Sequence, residues 1–234
     1  MQTDKLVVSP GDAPGLLEIL APEAISRCAN DIWFFTNFVK TRDEADSESI
    51  KAFPRLAYLR EFYHVLNDSQ RIAVAKSRQM FVSWALCVYC VWFARFHPHK
   101  YVVWQTQKLE DAVKMVSMPG GGDDTGYMAR MQFVEHALPS WLQVGARYNS
   151  GLINYPNGSL IEAVAGGANQ VRGKTASLLI EDEFAYQEEA KGVYQAVAPL
   201  IQKATKFVAV STPNGPSNTF AEIFHGYKLV SYDK

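Results

Sequence analysis

The sequence predicts an α/β fold built on a mainly parallel β-sheet flanked by helices. Two apolar runs carry that expectation. Leu178–Ile180 ends in Glu181, Asp182 and Glu183, and Phe207–Val210 ends in Ser211, Thr212, Pro213, Asn214 and Gly215. A continuous apolar run that stops at polar residues reads as a strand buried on both faces, with its C-terminal end opening onto a site. The third observation is alternation. Strand-like runs at Arg71–Ala75 and Tyr101–Gln105 are separated by helical patterns, as a parallel sheet with crossover helices requires.

Composition narrows the options. At 234 residues and 48% hydrophobic, the chain can bury one sizeable core. A net charge of −1 gives no global basic character, so contact with nucleic acid needs a local patch. No apolar run reaches membrane-spanning length, and Met1–Lys5 lacks a signal-peptide start, so a cytosolic chain with no membrane partner is expected. Cys28, Cys87 and Cys90 are too few and too scattered for a disulfide framework. Cys87 and Cys90, with His97 and His99 nearby, invite a zinc reading. Both cysteines sit within the apolar run Trp84–Ala94, however, and a second ligand pair at zinc spacing is missing, so they read as core.

Along the chain, residues 1–15 read as a flexible arm. Residues 22–41 read as a helix with Pro22 in its first turn, and residues 41–49 as an acidic loop or solvated helix start. A second helix is expected at about Tyr58–Leu66. The strand Arg71–Ala75 then feeds the loop Lys76–Val82 and a long apolar helix starting near Ser83. The strand Tyr101–Gln105 precedes an amphipathic helix, Glu110–Ser117, and a flexible Pro119–Asp124 segment. A hairpin of Leu152–Tyr155 with Ser159–Ala165 turns at Asn157-Gly158. A loop from Gly166 to Gly173 leads to the two diagnostic strands. Residues 1–50 are taken as an arm and helix attached to a core domain of residues 51–234.

Several of these segments together resemble a known family, the ATPase domain of tailed-phage terminase large subunits. They are Trp33–Val39, Phe53–Leu59, Ser77-Arg78-Gln79 in the loop, Asn157–Ser159 in the hairpin, Val171–Gly173, the Leu178–Glu183 run and Ser211–Gly215. Their order and spacing carry the resemblance over roughly Asp31 to Phe224. It implies a P-loop NTPase fold of the RecA-like additional-strand (ASCE) class. It also implies ATP hydrolysis with Mg2+, coupled to moving double-stranded DNA into a procapsid. The implied partners are further copies of the chain in a ring, the portal protein and the small terminase subunit, in the host cytoplasm and transiently at the portal. The chain departs from the family's Ser-Arg-Gln-x-Gly-Lys-Ser/Thr loop, because Phe81 and Val82 stand at the Gly-Lys positions. It also ends at Lys234, leaving no room for the family's nuclease domain, so no nuclease activity is expected.

The resemblance assigns roles to residues. The loop and helix start, Lys76, Ser77, Arg78, Gln79, Met80, Phe81, Val82, Ser83 and Trp84, would bind nucleotide, using backbone N–H groups and a cation on the phosphates. A family variation moves the loop lysine to Lys76, with Arg78 competing for the same charge. Ser83 and Asp182 would hold the metal, and Glu183 would orient the attacking water. On strand alternation Glu181 faces away from Asp182. Arg172 would complete a neighbouring subunit's site, with Arg78 in cis, Arg130 and Arg147 as alternatives. Ser211, Thr212 and Asn214 would couple hydrolysis to movement. Arg60, Phe62 and Gln70 fall in the adenine region without a clear match. Two rival functions are a lobe of another nucleic-acid ATPase or helicase, and a binding or scaffolding module with a degenerate loop.

Overall fold

The computed structural model describes residues 14–42, 49–106 and 126–226. Nine strands are defined among them: β1 (Lys40–Arg42), β2 (Ile50–Ala52), β3 (Arg71–Ala75), β4 (Tyr101–Thr106), β5 (Arg147–Asn149), β6 (Leu152–Asn154), β7 (Leu160–Ala165), β8 (Leu178–Asp182) and β9 (Lys206–Ser211). The helices are α1 (Pro14–Asn30), α2 (Ile32–Phe35), α3 (Ala57–Asp68), α4 (Val82–Phe96), α5 (Tyr127–Ala137), α6 (Ala168–Val171), α7 (Ala190–Lys203) and α8 (Thr219–Gly226). The main sheet has seven strands in the order β3-β9-β8-β4-β7-β6-β5, and β1 and β2 form a separate hairpin. Strands β3, β9, β8, β4 and β7 are parallel; β6 and β5 extend the sheet antiparallel. This is the α/β P-loop architecture expected from the sequence, and β9 is the additional strand, set between β3 and β8.

The apolar runs are continuous because both faces of the sheet are covered. Val102, Trp104, Leu178, Ile180, Val208 and Val210 face one core, shared with α3, α4 and α5. Their alternates Val103, Leu179, Phe207 and Ala209 face a second core, shared with α7 and α8. Period-two alternation therefore distributes apolar residues to two layers. Each large side chain buried this way contributes about 1.5–3 kcal/mol. Helix α4 lies deepest. Cys87 and Cys90 are fully buried in it, and burial pushes the Cys87 thiol up to about 12, so these cysteines act as small apolar groups. Three buried polar tips around α4 are paired: Tyr63 Oη donates to Ala85 O, Tyr89 Oη to Leu66 O, and Trp92 Nε1 to Cys28 O, whereas Trp84 Nε1 has no hydrogen-bond partner.

Several sequence expectations are corrected. The single helix over residues 22–41 is instead two helices and a strand. Asp31 interrupts it, and its carboxylate accepts the Phe34 N–H at 3.0 Å to cap α2. Lys40–Arg42 then pairs with Ile50–Ala52, because the strand ladder satisfies the backbone that a helix would otherwise have to. Pro22 lies inside α1, whose first position is taken by Pro14. The 166–173 loop contains α6, and neither α5 nor β5 was expected. In α5 the buried Glu135 interrupts the apolar pattern; it is tied to the equally buried Arg95 of α4 at 2.6 Å.

The hairpin turn falls at Asn157-Gly158 as its sequence predicts. Gly158 adopts φ +81°, and a Cβ there would meet His99 Nδ1 at 2.7 Å, so only glycine fits. Of the arm expected over residues 1–15, Pro14 and Gly15 instead open α1; residues 1–13, the 43–48 part of the acidic loop, the Glu110–Ser117 helix and the Pro119–Asp124 segment lie outside the described residues.

Candidate functional site

The C-terminal ends of β3, β8 and β9 meet at one edge of the sheet. Ala75 is in register with Ser211, and Asp182 with Val210. The Lys76 N–H donates to Ser211 O at 3.0 Å, fixing the start of the loop that follows β3. That edge opens into a cleft of about 540 Å³, lined by the run Lys76 to Ser83 and by Tyr127, Arg130, Glu183, Tyr186 and Thr212. Carboxyl ends of parallel strands next to a helix start are where such folds bind ligands.

The loop keeps a tight shape without glycine. Gln79 and Phe81 sit in the left-handed region, at φ 62° and 58°. Phe81 does so at the position immediately before α4, where it caps the helix start. A side chain in that region costs on the order of 1–2 kcal/mol. Packing offsets this. The Phe81 ring meets Phe53 edge-on at 5.5 Å and stacks on Trp84 at 6.2 Å, while Tyr58 Oη donates to Met80 O at 3.0 Å. Trp84 is buried behind the loop and is not part of the cleft wall.

Lys76 is the electrostatic centre. Its Nζ lies 3.3 Å from Ser83 Oγ, 3.3 Å from Glu183 Oε1 and 3.8 Å from Asp182 Oδ1. Asp182 is buried, and desolvation raises its carboxyl above the usual range. The Lys76 charge and the Tyr127 hydroxyl act in the opposite direction. Asp182 Oδ1 accepts the Glu183 N–H at 3.0 Å, and its Oδ2 has no hydrogen-bond partner.

Glu183 stands at φ 48°, turned out of the strand by a left-handed residue, with its carboxylate partly exposed. Its Oε2 accepts from Thr212 N at 3.4 Å, Thr212 Oγ1 at 3.2 Å and Ser211 Oγ at 3.4 Å. Ser211 Oγ also accepts the Ala185 N–H, and Asn214 Nδ2 donates to Ala185 O. The ends of β8 and β9 are thereby stitched into one unit. Glu181 is not part of the cleft; its Oε2 accepts from Gln187 Nε2 at 3.1 Å, and burial pushes its carboxyl up to about 8.

A divalent ion of the Mg2+ type fits these residues. Such an ion takes one or two protein oxygens and fills its octahedron with water and substrate phosphates. Ser83 Oγ and the orphaned Asp182 Oδ2 are donors of that kind. Among the described residues no group of three His, Cys, Asp or Glu side chains forms a protein-only cage.

The structure brings together Lys76 to Ser83, Asp182, Glu183, Ser211 and Thr212. Arg172 is outside the cleft, exposed, with its guanidinium donating to Asn169 Oδ1 at 3.2 Å. Arg147 lies on β5, at the opposite edge of the sheet. Arg78 and Arg130 both reach the cleft. Of the three residues in the adenine region, Gln70 donates to Ile201 O, Phe62 is buried, and Arg60 is exposed on α3. Sequence reasoning missed Tyr127 and Tyr186. The signal for Tyr186 was its place three residues after Glu183. Tyr127 had none, because α5 itself was not foreseen.

No family model matches the sequence. Solved structures do match. A point mutant of the large-terminase ATPase domain of Thermus phage P74-26 aligns at TM-score 0.56 and 17% identity, over 74% of this chain and 70% of that one. A second structure of that domain gives TM-score 0.52 and 18% identity, over 70% and 72%. The fold is that of a large-terminase ATPase domain. The large terminase of bacteriophage HK97 aligns at TM-score 0.62 and 8% identity, over 85% of this chain but 40% of its own length. The cleft is thus set in a fold shared with large-terminase ATPase domains of phages.

Proposed function

We propose that the chain is the ATP-hydrolysing motor domain of a terminase large subunit and moves double-stranded DNA into a procapsid. One observation carries this reading: Lys76 Nζ stands between Ser83 Oγ and the carboxylates of Asp182 and Glu183, at the mouth of a loop that opens a helix. A cation, a hydroxyl and two carboxylates on one sheet edge are the parts that phosphoryl transfer to water uses.

In this reading the residues from Lys76 to Ser83 embrace the polyphosphate, and Lys76 takes the place of the lysine absent at Val82. Ser83 and Asp182 would hold Mg2+, which when bound neutralises charge on the phosphate oxygens. Glu183 orients the attacking water and accepts its proton. Its Oε2 is already held by Thr212 and Ser211, so loss of the γ-phosphate would be felt directly at the end of β9. Ser211, Thr212 and Asn214 are the coupling segment on that account. Arg172, exposed and outside its own cleft, is assigned to the site of a neighbouring subunit in a ring, where it stabilises transition-state charge. The portal protein, the small terminase subunit and DNA are the partners this function requires, in the host cytoplasm.

The test is DNA-stimulated ATP hydrolysis. Glu183→Gln should still bind ATP with Mg2+ but turn over at least about a hundredfold more slowly, because water activation alone is lost. Lys76→Ala should lose both binding and turnover, with the fold intact by circular dichroism. Wild-type turnover in Glu183→Gln would overturn the assignment. Near-normal turnover in Lys76→Ala with an inactive Arg78→Ala would transfer the phosphate charge to Arg78.

A further inference from the structure

The nucleotide reading leaves a charge deficit at the cleft. Lys76 lies within 4 Å of two carboxylates, so its single positive charge is opposed by Asp182 and Glu183 before any phosphate arrives. A polyphosphate entering there needs further cations. Arg78 is exposed on the loop itself. The other cation in the cleft wall comes from a different element, α5.

Tyr127 and Arg130 are one helical turn apart and present the same face of α5 to the cleft. The Arg130 guanidinium carbon lies 5.2 Å from the Trp84 ring centre and 5.7 Å from the Tyr127 ring centre. Trp84 follows Ser83 in the first turn of α4, so these contacts hold the guanidinium beside the helix start to which phosphates bind. The two rings are themselves held. Tyr127 stacks on buried Trp104 at 4.6 Å, and Trp84 stacks on Phe81. Such ring contacts fix the orientation of a guanidinium through its π-faces, and a guanidinium recognises phosphate by a planar, bidentate contact.

Resting on the nucleotide reading of the cleft, we propose that Arg130 is a polyphosphate-binding residue acting within its own subunit, cradled by Trp84 and Tyr127 and supplying the cation that the loop lost at Val82. The chain then divides the work of one loop lysine. Lys76 bridges the carboxylates and the helix start, and Arg130 brings positive charge from across the cleft.

The test measures binding of a fluorescent ATP analogue with Mg2+ to Arg130→Met, Arg130→Gln and Arg130→Lys in the full chain. Methionine keeps an apolar stem over the rings without charge, and thermal melting checks that each variant is folded. Removing one charge-assisted contact should weaken binding by roughly tenfold to a hundredfold in Met and Gln. Lysine should recover part of the loss. The affinity of the wild type should also fall more steeply with salt than that of Arg130→Met, and inorganic tripolyphosphate should displace the analogue less readily from the variant. Folded Met and Gln variants that bind as tightly as wild type, with the same salt dependence, overturn the proposal and leave Arg130 a packing residue. Wild-type protein that binds no nucleotide overturns instead the reading of the cleft on which it rests.

Discussion

At the residue scale, Phe81 shows how a loop can do without its glycine. Its left-handed backbone is unfavourable for any side chain, yet its ring packs between Phe53 and Trp84. The two effects separate by substitution. Phe81→Gly relieves the strain but removes the packing; Phe81→Ala removes the packing and keeps the strain. Losing a large, well-packed ring outweighs about 1 kcal/mol of backbone relief, so both variants should be less stable than wild type. Alanine should be the worse of the two, by about 1 kcal/mol in denaturant unfolding, which reverses the usual preference for alanine over glycine. An alanine variant as stable as the glycine one would show that the loop relaxes out of the left-handed region.

At the scale of elements, β8 carries two carboxylates with opposite tasks. Asp182 is buried beside Lys76, whereas Glu181 has an amide partner in Gln187 and its carboxyl is pushed up to about 8. The folded state therefore holds a proton on Glu181 that the unfolded chain gives up near its ordinary value of 4.5. In that window the native state binds more protons than the unfolded one, so stability falls as pH rises. The slope from this one group reaches about 1.4 kcal/mol per pH unit and flattens above about pH 8. Glu181→Gln stays neutral throughout. It should remove that slope and be more stable than wild type at pH 8, measured by urea unfolding across pH 5–9. Equal pH profiles for the two proteins would mean that Glu181 ionises normally in the fold.

At the scale of the whole molecule, the cleft is walled by the Lys76–Ser83 run with Tyr127, Arg130, Glu183, Tyr186 and Thr212, and Arg172 is not among them. If Arg172 serves a neighbour, activity belongs to the assembly. Turnover per subunit should rise with protein concentration as contacts form. Arg172→Ala should lose on the order of a thousandfold in rate while still binding ATP. Mixing it with Glu183→Gln should restore activity, because one kind of contact pairs an intact Glu183 with an intact Arg172. Turnover per subunit that stays flat with concentration, or a mixture that remains inactive where wild type is active, would return Arg172 to a local structural role.

The strands and their polar ends were legible in the sequence because a parallel strand buried on both faces must be apolar throughout and polar where it emerges, and both conditions are local. Asn157-Gly158 was legible for a similar reason, since a tight turn demands particular backbone angles at particular residues. These local rules determined the fold class and placed Lys76, Asp182, Glu183 and Ser211 at strand ends. Only the tertiary structure decided what those residues face. The contacts of Lys76 with Asp182 and Glu183 depend on β9 inserting between β3 and β8, which no local pattern encodes. The left-handed Phe81 is supported by rings from elsewhere in the chain. Tyr127 and Arg130 enter the cleft from a helix whose apolar period is broken by Glu135, a residue that makes sense only once Arg95 is packed beside it. Spacing along a chain specifies which backbone forms; proximity between distant segments specifies which charges meet, and that follows from burial in the finished core.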